Sequence, residues 1–285
     1  MTTAAVLAAA LAFWPTDAKL AYQTSEKLVE RHTPRDAGTI PGRLAARFIF
    51  DAANASGLDA TFDSFSAETE SGPRLFANIT CDYVSDPSAP WLVFVSHYDT
   101  KPGVACPGAN DGASTSGLLV AIASRLFDDK PKGVNVRLVW TDGEECRKAY
   151  SKKDGFWGSR HAAKKLKGDK LDVRAVVCLD MLGDRDLNIS IPRNGTDSLR
   201  GGVLEMAKRA GIAEKVSVSD DLVKDDHVAF LDEGFPAVDI IDFDYGSKRG
   251  LNDYWHTPAD TMDKVSEESL LAVGRLAIAI INEIR

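Results

Sequence analysis

At 285 residues, with a formal charge of −8 and a pI near 5.2, the chain lacks the basic face that nucleic-acid binding requires. Its 44% hydrophobic content suits a globular protein with a substantial core. Four cysteines (Cys81, Cys106, Cys146 and Cys178) form no Cys-x-x-Cys pair, which argues against a structural zinc module.

The start, MTTAAVLAAALAFWP, is apolar but has no Lys or Arg ahead of its apolar run, so residues 1–16 read as a truncated signal or a first helix. The stretch is shorter than the ~20 apolar residues needed to span a bilayer. A periplasmic or secreted location is expected over a cytoplasmic one, and residues 17–285 are expected to form a single domain.

Helical spacing covers Asp17–Thr33, stopped by Pro34, and a second helix runs over Pro41–Ser56 with Gly57 just past its end. Leu58–Ser64 and Leu75–Tyr83 read as strands around a Ser71-Gly-Pro73 turn. Trp91–Val95 is unbroken apolar sequence, the mark of a strand buried on both faces, and it stops at Ser-His-Tyr-Asp. Asn110-Asp-Gly112 then opens a helix from about Ser114 to Leu126. Further strands are expected at Val134–Trp140, Val173–Leu179, Leu187–Ile191 and Ala237–Ile241. Between and after them, helices are expected at Trp157–Leu166, Leu199–Ala210, Asp226–Glu233 and Ser266–Ile284, the last with a serine N-cap. Strands alternating with helices over the whole length predict an α/β sandwich with a mostly parallel centre.

The expected strand ends and adjoining loops carry, in order, His97, Asp111, Glu144-Glu145, Asp180 and, in Tyr254-Trp-His-Thr-Pro258, His256. In open α/β sheets, sites are built at that edge. A mixed His/Asp/Glu set suits zinc better than the all-oxygen cages of calcium or magnesium. One glutamate of the pair can ligate while the other stays free to carry a proton. Asp99, two residues past His97, is placed to orient the imidazole. Any one of these carboxylates alone is more often a helix cap or an ion-pair partner; five candidates on separate strand ends are not explained that way. Free thiols are expected over a Cys106–Cys146 bridge, and His227 and His161 are expected to be structural.

On these motifs, from Ala21 to the C-terminus, the chain resembles the zinc-dependent exopeptidases of clan MH, the aminopeptidase-like group that includes the glutaminyl cyclases. The resemblance implies a three-layer α/β/α sandwich with a mixed, mostly parallel central sheet. It also implies metal ligands at His97, Asp111, Glu145, Asp180 and His256, with Glu144 as general base and acid. Two-metal members would bridge the ions with Asp111, whereas cyclases would hold one zinc on Asp111, Glu145 and His256.

Three features look more like the cyclases: the CRKAYSKKDGFW insertion after Glu145, the Asp225-Asp226-His227 run, and Trp255 ahead of His256. By that resemblance Asp226 joins Glu144 as a catalytic residue, and Trp255 and Tyr150 form the substrate pocket; Tyr150 stands where animal cyclases place tryptophan. The expected partner is a peptide or protein N-terminus, with no nucleic acid and no membrane span, and the sequence carries no signature of oligomeric state. Glutaminyl-peptide cyclisation is the leading expectation. The alternatives are a di-zinc aminopeptidase and, more remotely, a catalytically dead binding domain.

Overall fold

A computed structural model describes residues 11–284. Most of the expected signal or first helix, residues 1–10, lies outside the described residues. Leu11 and Phe13 are buried in the core, and Asn282 Nδ2 donates to the Leu11 carbonyl at 3.1 Å. Packing therefore reaches back ahead of α1 (Pro15–Arg31), which begins at a proline whose missing N–H costs the first turn nothing.

In chain order there follow α2 (Ile40–Ala55), β1 (Ala60–Thr69), β2 (Gly72–Tyr83), β3 (Trp91–His97), α3 (Thr115–Asp129), β4 (Asn135–Thr141), α4 (Trp157–Asp169) and β5 (Val173–Asp180). The second half adds β6 (Ile189–Ile191), α5 (Asp197–Ala210), β7 (Val216–Val218), α6 (His227–Asp232), β8 (Ala237–Ile241) and α7 (Glu267–Ile284). The strands form one sheet in the order β1-β2-β4-β3-β5-β8-β6-β7. Its centre, β4-β3-β5-β8, is parallel, and antiparallel pairs join it to the β1–β2 hairpin on one side and to β6 on the other.

Side-chain period divides the core. Leu92, Phe94, Leu138, Val177 and Ile240 face α1, α2, α3, α5 and α7, while Val93, Val95, Val139 and Val176 face α4 and α6. Every residue of β3 and β8 is buried, as central parallel strands require. The result is the expected three-layer sandwich with a mixed, mostly parallel sheet.

The sequence pattern misses β7, which is only three residues long, and it ends β1 five residues early. In β1 the sequence ATFDSFSAET is a partly exposed edge strand with little apolar content, so the hairpin register rather than burial defines its length. The serine cap of α7 is present, with Ser266 Oγ accepting from Ser269 N at 3.1 Å. All four cysteines are free and buried. Among the described residues no helix is long and apolar enough to cross a membrane.

Candidate active site

The parallel strands end together. His97 is the last residue of β3, Asp180 the last of β5 and Thr141 the last of β4, and the chain order reverses around β3, so a crevice opens over their ends. After β3 the chain loops to Gly108, which has φ +63° and no room for a Cβ beside Arg35 and the Asp111 carbonyl. It then turns through Ala109–Ser114 with a kink at Asp111, whose backbone (φ −93°, ψ 94°) leaves the helical region and delivers its side chain to the crevice. At Gly112 a Cβ would lie 2.5 Å from the His97 carbonyl oxygen and 2.7 Å from the His97 ring. The Asn-Asp-Gly sequence thus has a steric reason: only glycine lets this loop close on His97.

Asp111 is shared between two histidines. Its Oδ1 lies 3.0 Å from His97 Nε2 and its Oδ2 lies 3.4 Å from His256 Nε2. Asp180 Oδ1 completes the first group at 3.1 Å from His97 Nε2, and Glu145 Oε1 completes the second at 2.7 Å from His256 Nε2. Two triads result, His97–Asp111–Asp180 and Asp111–Glu145–His256, and within each the donor atoms lie within 4.8 Å of one another. Both are mixed nitrogen–oxygen donor sets that fit a divalent transition-metal ion.

The electrostatics agree with that fit. Burial raises the carboxyls of Glu144, Asp180 and Asp225, with neighbouring carboxylates adding to it in each case. For the imidazoles burial works the other way, but the carboxylates outweigh it and raise His97, and His256 to about 9. The cluster is rich in negative charge, which a bound cation offsets. Backbone conformations of positive φ occur at Met181, beside Asp180, and at His256 itself, both at 55°. Such conformations cost a non-glycine residue of order 1 kcal/mol or more and collect at functional sites.

Glu144 stands beside the second triad without joining it. Its Oε1 accepts a hydrogen bond from the Tyr150 hydroxyl at 3.0 Å. The Glu144–Glu145 turn is held by Asp99, which accepts from the backbone N–H groups of Gly143, Glu144 and Glu145 at 2.9, 3.1 and 3.2 Å. Asp99 also lies 3.6 Å from His97 Nδ1, longer than a hydrogen bond but within ion-pair range, and it helps to raise that imidazole; its hydrogen bonds go to the glutamate turn, a role the sequence reading did not foresee.

The insertion after Glu145 is equally built. Asp154 accepts from the N–H groups of Arg147, Lys148 and Ala149, and Tyr150 stacks on Phe156 at 4.3 Å between centroids. Lys101, which the sequence reading missed, donates to Glu145 Oε2 at 3.2 Å.

These groups face a cavity of about 480 Å³ whose wall includes Asp111, Glu144, Glu145, Tyr150, Trp255 and His256. Trp255 stacks on His256 at 3.8 Å and meets Phe243 edge-on. Asp226, expected as the catalytic partner of Glu144, is fully buried off this wall and accepts from Thr141 Oγ1 at 2.5 Å. Its neighbour Asp225 lines the cavity instead. The two are consecutive at the entry of α6, so their side chains diverge, and the residue run alone does not tell which one turns toward the site. His227 Nε2 accepts from Asn194 Nδ2 at 3.0 Å, and His161 stacks on Phe65 at 4.0 Å, both structural as expected.

Two supports of Asp111 were not foreseen. Arg35, fully buried, donates to the carbonyls of Tyr98, Pro107 and Gly108 and fixes the loop ahead of Asp111. Asp260, from the Trp-His-Thr-Pro-Ala-Asp run, accepts from Asn110 N at 2.8 Å, Asp111 N at 3.3 Å and the Tyr245 hydroxyl at 2.6 Å. The polar Ala-Asp tail of that motif was the available signal for Asp260; for Arg35 there was none.

Known proteins are similar to this chain in sequence and in fold. The chain is 28% identical to a glutaminyl-peptide cyclotransferase of Drosophila melanogaster, over 85% of this chain and 76% of that protein. It is also 28% identical to aminopeptidase YwaD of Bacillus subtilis (strain 168), over 68% of this chain and 41% of that protein. Among solved structures, an Acidobacteriales bacterium glutaminyl cyclase superposes with a TM-score of 0.89 at 32% identity, covering 100% of this chain and 99% of that one. The model of peptidase family M28, whose members imply a bound metal, matches residues 78–281, and the chain belongs to that family.

Proposed function

We propose that the protein is a zinc-dependent glutaminyl-peptide cyclotransferase, converting an N-terminal glutamine to pyroglutamate with loss of ammonia. The observation that carries this reading is Glu144: a buried carboxylate, outside both donor triads, hydrogen-bonded to Tyr150 and facing an aromatic-walled cavity beside the Asp111–Glu145–His256 set. A zinc ion on that set would supply a Lewis acid to polarise the γ-carbonyl of the glutamine.

The chain's own residues do the rest. Trp255 and Tyr150 confine the glutamine side chain, holding its α-amine within reach of its own γ-carbon, so that ring closure has the advantage of proximity. As the new N–C bond forms, Glu144 accepts a proton from the amine. It then delivers that proton to the departing amide nitrogen as the old C–N bond breaks and ammonia leaves. Asp225, whose burial favours the neutral acid, is placed on the same wall to donate a hydrogen bond to the leaving nitrogen. Incubation of the zinc-loaded protein with a Gln-initiated peptide tests this: ammonia release is expected, and its absence overturns the reading.

A second reading, a two-metal aminopeptidase, is favoured by one observation, the His97–Asp111–Asp180 triad on the other oxygen of Asp111. Two metal ions per chain and release of leucine from a Leu-initiated peptide would identify it.

A further inference from the structure

Cyclisation, or hydrolysis at the same site, fixes the direction of the substrate chain. In the reaction proposed above, the α-amine and the side-chain amide both turn inward. The α-carbonyl and the residue that follows must therefore leave by the cavity mouth. One side of that mouth is the Ser219–Lys224 segment between β7 and α6, where Asp221, Leu222 and Val223 continue the wall outward from Asp225. Leu222 is 65% exposed, an apolar side chain standing in solvent at the entrance.

The segment that carries Leu222 is not loose. Asn194 clamps Val223 from both sides, donating to its carbonyl at 2.7 Å and accepting from its N–H at 3.0 Å. Arg193 N donates to the Asp221 carbonyl at 3.0 Å, and Ser219 N to the Ile191 carbonyl at 2.9 Å. A side chain on backbone held in this way presents an apolar contact with little ordering cost on binding. At the mouth itself Asp221 and Lys224 carry opposite charges, so the apolar side chain of Leu222 is the distinguishing contact there.

We propose that Leu222 is the specificity-determining contact for the second residue of the substrate, selecting an apolar side chain there. The inference rests on the cyclase reading for the substrate's first residue, but the test separates the two. The peptides Gln-Leu-Ala, Gln-Gly-Ala and Gln-Glu-Ala are compared on the wild type, Leu222→Ser and Leu222→Met, following ammonia and free glutamine together. Which product forms decides the reaction; the second-residue preference is read from whichever product appears.

The wild type is expected to favour Gln-Leu-Ala over Gln-Gly-Ala about fivefold in kcat/KM, the scale of a partly covered leucine contact, with Gln-Glu-Ala no better than Gln-Gly-Ala. Leu222→Ser should bring the first ratio close to 1, and Leu222→Met should restore it. The substitutions fall on an exposed side chain, which keeps folding out of the comparison. An unchanged Leu-to-Gly ratio in Leu222→Ser, or a wild-type preference for Gln-Glu-Ala, overturns the proposal.

Discussion

Glu144 and Glu145 are neighbours in the chain and opposites in role, because Asp99 holds their backbone so that one side chain meets His256 and the other meets Tyr150. Glu144→Gln keeps the shape and removes the proton carrier. Ammonia release from a Gln-initiated peptide is expected to fall about 10²- to 10⁴-fold, with metal content by elemental analysis unchanged. Tyr150→Phe removes one hydroxyl while retaining the stack on Phe156. A roughly tenfold lower kcat with little change in KM is expected, the scale of one lost hydrogen bond to a charged group. A rise in KM alone would make Tyr150 only a wall. The five donors could be read from the sequence because each terminates an apolar run or sits in a glycine- or proline-bounded loop. Arg35 could not, since its partners are backbone carbonyls more than sixty residues away.

Short elements carry the finer adjustments. The entry of α6 buries His227 completely, and burial lowers its imidazole to about 4, below the ordinary 6.5. Above pH 6.5 the ring is neutral in both folded and unfolded chains. Below 6.5 the unfolded chain takes up a proton that the folded protein refuses until about pH 4. Stability is therefore lost as pH falls through that window, by about 3 kcal/mol in total. Urea unfolding at pH 7 and pH 4.5 should show a smaller acid loss for His227→Gln than for the wild type. Long buried elements such as β3 and β8 announce themselves in sequence through unbroken apolar runs. The three-residue β7 and the Asp154-centred loop do not, because their geometry comes from hydrogen bonds to distant backbone, not from periodicity.

Over the whole molecule, buried acid far exceeds buried base. Asp99, Asp111, Asp142, Glu144, Glu145, Asp180, Asp225, Asp226 and Asp239 are all buried, and among the described residues Arg35 is the one buried Lys or Arg. A cation bound to the native state but not to the unfolded chain stabilises it by mass action, about 2.7 kcal/mol at a hundredfold excess over Kd. Chelation is accordingly expected to abolish turnover and lower Tm by about 5 °C or more, and added zinc to restore both. A melting temperature indifferent to chelator would count against a resident metal.

The span of the donors, from His97 on β3 to His256 near the start of the last helix, has a consequence for biosynthesis. In a small zinc finger, ion capture and folding are one event, since neighbouring ligands collect the metal from the unfolded chain. Here no short stretch of nascent polypeptide holds a complete ligand set. The sheet must assemble before an ion has anywhere to rest, so metal capture would follow folding instead of driving it.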